Sequence, residues 1–172
     1  MKKLLLIFII VIVTGCSSTA SRVVPIHYKE TIGDLAYEIL LSKKQFGLND
    51  EIAVYAKVTN IGKNSISYGS GSSSCPNNLL IQIVNKNSKE YLNAKLELDA
   101  TRKACSTDIN SSELKPSQTI DQKLVFVPMS GKNRADPGTY DVKVSLPLKR
   151  HSAFLADKPK LYPSVKTSII IK

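Results

Sequence analysis

From Gly138 to Leu146 the chain reads GTYDVKVSL, with Tyr140, Val142, Val144 and Leu146 on one side of a two-residue period and Thr139, Asp141, Lys143 and Ser145 on the other. Successive side chains of an extended strand point to opposite faces, so this pattern describes a strand with one face buried and one solvated. The same period recurs through Leu35, Tyr37, Ile39 and Leu41, through Ile52, Val54, Ala56 and Val58, through Leu79, Ile81 and Ile83, and through Val165, Thr167, Ile169 and Ile171. A strand over Thr119 to Val127 and shorter ones over Ile66 to Tyr68 and Tyr91 to Leu98 complete the set. Between them stand turn-forming stretches: GLND at Gly47, TNIGKNS at Thr59, NKNSK at Asn85, LKPSQ at Leu114 and DPG at Asp136. TNIGKNS is expected to close a hairpin with Gly62 and Asn64 at positive φ. Residues 100–112 are polar and aperiodic. No helical period lasts beyond two turns, and neither a repeat nor a boundary falls within 34–172. The expectation is one all-β antiparallel domain of seven to eight strands, a sandwich or a barrel.

Asp136-Pro137-Gly138-Thr139-Tyr140 has the D-x-G-x-Y form of the tyrosine corner, and Tyr140 falls on the inward face of the penultimate expected strand. On these residues, together with Thr59-Asn60 and Leu114-Lys115-Pro116, the region 34–172 resembles bacterial immunoglobulin-like domains. It is similar in outline to the proteinase-inhibitor-like members of that group. The resemblance implies an immunoglobulin-like β-sandwich; Val142, where antibody domains carry Cys, excludes their inter-sheet disulfide. The shared motifs are structural and carry little information about function.

Lys2 and Lys3 precede an unbroken apolar run from Leu4 to Val13, half the roughly 20 residues that a membrane-spanning helix needs. A positive start followed by a short apolar core reads as a secretory signal. Val13-Thr14-Gly15-Cys16 resembles the bacterial lipobox. That resemblance implies cleavage before Cys16 and a diacylglycerol on the Cys16 sulfur, the thiolate being a strong nucleophile. Each buried methylene contributes about 0.8 kcal/mol to membrane partition, and two acyl chains anchor where one is marginal. The expected organisation is a signal peptide over 1–15, a tether over 16–33 and the domain over 34–172, lipid-anchored on the extracytoplasmic side of a bacterial cell membrane or outer membrane.

Loss of Lys2 and Lys3 lowers the formal charge from +10 to +8. A basic exported chain suits an anionic envelope polymer or lipid headgroups; the compartment argues against nucleic acid. After Cys16 only Cys75 and Cys105 remain. An even pair in an oxidising compartment points to a disulfide closing about 30 residues, with two free buried thiols as the alternative. His27 and His151 lack metal-ligand spacing, so neither a metal nor another cofactor is expected.

No catalytic motif is present: no G-x-S-x-G, no Gly-rich phosphate loop and no H-E-x-x-H. The chain therefore reads as non-enzymatic. The candidate binding element is the long connection before the last strand, PLKRHSAFLADKPKLYPS over Pro147 to Ser164. It carries Lys149, Arg150, Lys158 and Lys160 beside Phe154 and Tyr162. Long ordered connections are often functional, and in immunoglobulin-like domains this one lies among the end loops. The bland alternative is a solvated connection. Two functions stay open: an envelope-displayed binding or accessory module that contacts an anionic polymer or a protein partner, and a proteinase inhibitor with Lys149 or Arg150 filling the protease cleft.

Overall fold

The computed structural model describes residues 25–71, 78–95, 110–147 and 163–172. The described residues are all-β, with thirteen strands and no helix. Those of six residues or more are β1 (Ile26–Ile32), β2 (Leu35–Leu41), β4 (Ile52–Asn60), β6 (Leu80–Asn85), β9 (Thr119–Val127), β12 (Gly138–Ser145) and β13 (Ser164–Ile171). The short strands are β3 (Gln45–Phe46), β5 (Ile66–Gly69), β7 (Asn93–Ala94), β8 (Ser111–Leu114), β10 (Met129–Ser130) and β11 (Asn133–Arg134). The count exceeds the expected seven to eight through β1 and four of these short strands; β5 and β7 fall in segments where strands are expected. Two- and four-residue strands hold too few side chains to print a period on the sequence.

One sheet runs β1-β2-β4-β9-β7 and the other β3-β13-β12-β6, while β5-β8 and β10-β11 form separate pairs. Pairing is antiparallel except where β3 joins β13 in parallel. The two larger sheets share a single core. From the first come Tyr37, Ile39, Val54 and Phe126, and from the second Ile83, Tyr140, Val142 and Ile169. All the inward positions read from β2, β4 and β12 are buried, including Leu146 just past the end of β12.

The tether expected over 16–33 ends sooner, because Ile26 to Ile32 pair along their full length with Leu41 to Leu35. The period is there on Ile26, Tyr28 and Ile32, which pack against the core. Glu30 occupies the fourth position of that face and breaks the apolar pattern. The β1–β2 connection is the two-residue turn Gly33-Asp34, with Gly33 at φ 58°. A positive φ at the first central residue alone is the type II′ arrangement, whose twist suits a hairpin.

TNIGKNS does not close a hairpin. β4 lies between β2 and β9, whereas β5 crosses away to pair with β8. Neither Gly62 nor Asn64 takes a positive φ. Gly62 is required instead by close approach, since a Cβ there would lie 2.5 Å from Cγ of Asp34. The turn is organised by Asn60, which is fully buried. Its Nδ2 donates to the carbonyls of Asn64 (2.7 Å) and Leu114 (2.9 Å), and its Oδ1 accepts from the Gly62 amide (2.9 Å). Lys115 to Gln118 form a β-turn, with Pro116 at its second position and Ser117 at φ 63°. Pro there and a positive φ next describe type II. Part of the stretch read as aperiodic, Ser111 to Ser112, belongs to β8; of the strand expected from Tyr91, Asn93–Ala94 forms β7 and Tyr91 makes an isolated bridge to Val84.

The tyrosine-corner geometry is present. Tyr140 is buried, and its hydroxyl donates to the carbonyl of Asp136 at 2.6 Å, four residues upstream. A net hydrogen bond contributes about 1 kcal/mol. Tyr140→Phe keeps the ring and deletes the donor, leaving the Asp136 carbonyl without it. Urea denaturation should show a loss of about 1–2 kcal/mol with an unchanged slope; an unaltered midpoint would mean the bond contributes nothing.

Candidate functional site

The sequence-derived site residues lie outside the described residues: Cys16, Cys75, Cys105, Lys149, Arg150, Phe154, Lys158, Lys160 and Tyr162. What the fold does position is the described chain that flanks them. The Gly69 amide donates to the Pro147 carbonyl at 2.6 Å, Ser70 to Asn110 at 2.9 Å, and Asn110 back to Gly71 at 2.8 Å. The hydroxyl of Tyr37, a core residue, donates to the carbonyl of Pro163 at 2.9 Å. Burial pushes its phenol up to about 12. Leu79 is tied in turn by its amide to Oε1 of Gln122 at 2.8 Å. So Gly71, Asn110 and Pro147 meet in one hydrogen-bonded cluster.

Register places that cluster relative to the chain's start. Ser145, at the end of β12, pairs with Leu80 and Ser164. Tyr37, which holds Pro163, lies two residues from the end of β2 that faces Asn60. Ile26 pairs with Leu41 at the opposite end of β2. The chain thus enters beside Leu41 at one end of β2, and the stem at Pro163 is held from Tyr37, four residues or about 13 Å toward the other end at 3.3 Å per residue.

The outward faces carry paired charge. Lys29, Glu38, Lys57 and Asp121 form one cross-strand row of alternating sign over β1, β2, β4 and β9. Opposite charges directly across a ladder stabilise it. His27 Nε2 donates to Glu38 at 2.9 Å and Lys29 Nζ at 3.2 Å, and these bonds draw the Glu38 carboxyl below its usual range. Asp50 is lowered similarly, first by Lys43 at 2.5 Å and then by the Gly47 amide at 2.8 Å. On the other sheet Lys86 pairs with Asp141 at 3.3 Å.

One outward pair departs from this pattern. Lys143 on β12 faces Lys166 on β13 directly. Both line a cleft of about 440 Å³ with Tyr28, Glu30 and Ser164, at the seam where β1 of one sheet passes β13 of the other. The Tyr28 hydroxyl hydrogen-bonds the Glu30 carboxylate, which raises the phenol's pKa. From the sequence Lys143 belongs to a solvated face and Tyr28 to a tether, and no local pattern shows that β1 closes against β13. Among the described residues no His, Cys, Asp and Glu group could hold a metal ion, and no helix is long and apolar enough to cross a membrane.

No protein-family model matches the chain, and no curated protein sequence matches it. Among solved structures, a β-glucosidase from Erythrobacter marinus is similar at a TM-score of 0.42 and 13% identity, over 86% of this chain and 16% of that protein. AvmM, which catalyses macrocyclization in alchivemycin A biosynthesis, is similar at a TM-score of 0.39 and 6% identity, over 86% of this chain and 95% of that one. The chain thus spans about a sixth of the length of the first of these proteins.

Proposed function

We propose that this chain is a bacterial envelope lipoprotein: an immunoglobulin-like sandwich, held to the membrane through lipid on Cys16, that acts as a non-enzymatic binding or accessory module. The observation that carries the reading is the separation of ends. The chain enters at Ile26 beside Leu41, whereas Pro163 is held by Tyr37, four residues along β2 toward its other end, and Gly71, Asn110 and Pro147 are joined by hydrogen bonds. A domain tethered at its entry end would present those connections away from the membrane. Lys149, Arg150, Lys158 and Lys160 would then face an anionic envelope polymer or a protein partner.

Strand order supports the immunoglobulin-like assignment. In chain order β2, β4, β6, β7, β9, β12 and β13 take the places A to G. β2-β4-β9-β7 then reads ABED and β6-β12-β13 reads CFG, the constant-type arrangement, with the Tyr140 corner at the start of the sixth. β1 is an addition ahead of A. A disulfide between Cys75 and Cys105 is part of the proposal; the antiparallel β5–β8 ladder, extended by Gly71 and Asn110, carries the two flanks side by side. Proteinase inhibition remains the second reading, resting on the resemblance of fold.

Detergent phase separation tests the anchor. The full-length protein expressed in a bacterium should partition into the detergent phase with diacylglycerol on Cys16 by mass spectrometry, and Cys16→Ser should carry no lipid and keep its signal uncleaved at that site. Wild-type protein in the aqueous phase, with an unmodified Cys16 by mass spectrometry, would refute the lipoprotein reading.

A further inference from the structure

We propose that the cleft between β1 and β13 is a binding site for a phosphorylated polyol or sugar, with Lys143 and Lys166 holding the phosphate and Glu30 accepting hydrogen bonds from adjacent ligand hydroxyls. Like charges directly opposite on neighbouring strands destabilise a sheet, yet Lys143 and Lys166 occupy such a position. Elsewhere the fold avoids this: Lys29, Lys43, Lys86 and Lys95 each have a carboxylate partner, and the Lys29-Glu38-Lys57-Asp121 row alternates in sign. Among the described residues neither Lys143 nor Lys166 has an ion pair. Gln82, the β6 residue facing Lys143, supplies no charge. An anion seated between the two ammonium groups would turn the repulsion into attraction.

The surroundings narrow the class of anion. The cleft lies between two sheets, so it offers a small group walls from both rather than one flat charged surface. Its hydroxyls come from Ser164 and Tyr28, and its single carboxylate is Glu30. A carboxylate in an anion site opposes binding unless it has its own donor to serve. The Tyr28 hydroxyl already occupies part of Glu30, and a carboxylate has about four acceptor positions. The remainder suit ligand hydroxyls next to the charged group. The two lysines give the site its net positive charge, and ammonium groups bind phosphate as point charges without a fixed geometry. A phosphate flanked by hydroxyls therefore fits this set better than an apolar acid or a bare inorganic ion. Repeating polyol or sugar phosphates of an envelope polymer carry that chemistry, as do free small molecules. This names a ligand class for the binding module proposed above and rests on that reading only for the ligand's source.

The test uses the full-length protein in detergent, labelled with ¹⁵N and titrated at low salt with glycerol 1-phosphate and, separately, with inorganic phosphate. Glycerol 1-phosphate should shift the amides of Tyr28, Glu30, Lys143, Ser164 and Lys166 along one saturable curve and bind more tightly than inorganic phosphate. Lys143→Gln with Lys166→Gln should weaken it at least tenfold, while Lys143→Arg with Lys166→Arg retains it, which separates charge from fold. Glu30→Gln should abolish the preference for glycerol 1-phosphate over inorganic phosphate. Shifts spread over lysines across the whole surface, or a double Gln variant that binds like wild type, would overturn the site without touching the lipid-anchor result. Retention of the protein on purified envelope polymer, lost in the double Gln variant and competed by glycerol 1-phosphate, would identify the polymer as the source; competition by small phosphates with no retention would assign the site to a free metabolite.

Discussion

Asn60→Ala should destabilise the domain by about 3 kcal/mol, since each of its three side-chain hydrogen bonds contributes roughly 1 kcal/mol net. The side chain is completely buried, and it serves three backbone groups: the carbonyls of Asn64 and Leu114 and the amide of Gly62. Its backbone is also engaged, donating to Gln118 and accepting from Ser117. One residue therefore brackets the end of β4, the crossing to β5, the end of β8 and the turn before β9. Truncation leaves the Leu114 carbonyl buried without this donor, and such a group costs more than the bond it lost. Asn60→Asp makes the sign visible. It places a carboxylate against two carbonyl oxygens, which raises its pKa in the folded state. A group whose folded pKa is raised contributes stability that is lost as pH rises through that value. The Asp variant should thus be less stable than the Ala variant at pH 7 and recover as the pH falls toward 4. Chemical denaturation at the two pH values decides it. A loss below about 1 kcal/mol for Ala, or an Asp variant indifferent to pH, would show that the bracket is not a stability element.

Asn60 also marks how far the sequence could be read. Thr59-Asn60 stands out as a pair at the end of a strand, but an Asn two positions before Gly reads as a turn-former. Whether it faces water or the core depends on Leu114, far along the chain, and no local pattern carries that. The long strands were legible because one face of each is buried over several periods, as on β2, β4 and β12. The tyrosine corner was legible because the motif and the hydrogen bond are both local, four residues apart. β1 was hidden by one charged residue on its inward face, and Glu30 is there because that face leaves the core at the cleft. The Lys143–Lys166 pair was hidden for a different reason. Each lysine fits a solvated strand position; only the β12–β13 register sets them opposite, and only the approach of β1 makes a concavity of them. The lipobox and the cysteine pair are compositional features, and their residues lie outside the described part of the chain.

Cys105→Ala is expected to lower stability by about 3.5 kcal/mol, the chain-entropy value for a closed loop of about 30 residues. The folded chain supports the pairing through its flanks. Cys75 follows Gly71 by four residues and Cys105 precedes Asn110 by five, and Gly71 and Asn110 are already joined by a 2.8 Å hydrogen bond at the end of the β5–β8 ladder. At about 3.3–3.6 Å per residue, segments of four and five residues are long enough for a disulfide with Cα atoms about 5.5–6 Å apart to be closed from that joined pair. The stabilisation comes chiefly from restricting the unfolded chain, so it should appear as a raised unfolding midpoint in the oxidised protein that vanishes on reduction, with the reduced wild type matching Cys105→Ala. Cys75→Ala should match both, because either substitution removes the same cross-link. Peptide mapping without reductant should recover the two cysteine peptides joined. Alkylation of both thiols in the native, unreduced protein, together with a Cys105→Ala midpoint equal to wild type, would show that no bridge forms; the β5–β8 ladder alone would then hold the two segments at the end of the fold where the Pro147 and Pro163 stems emerge.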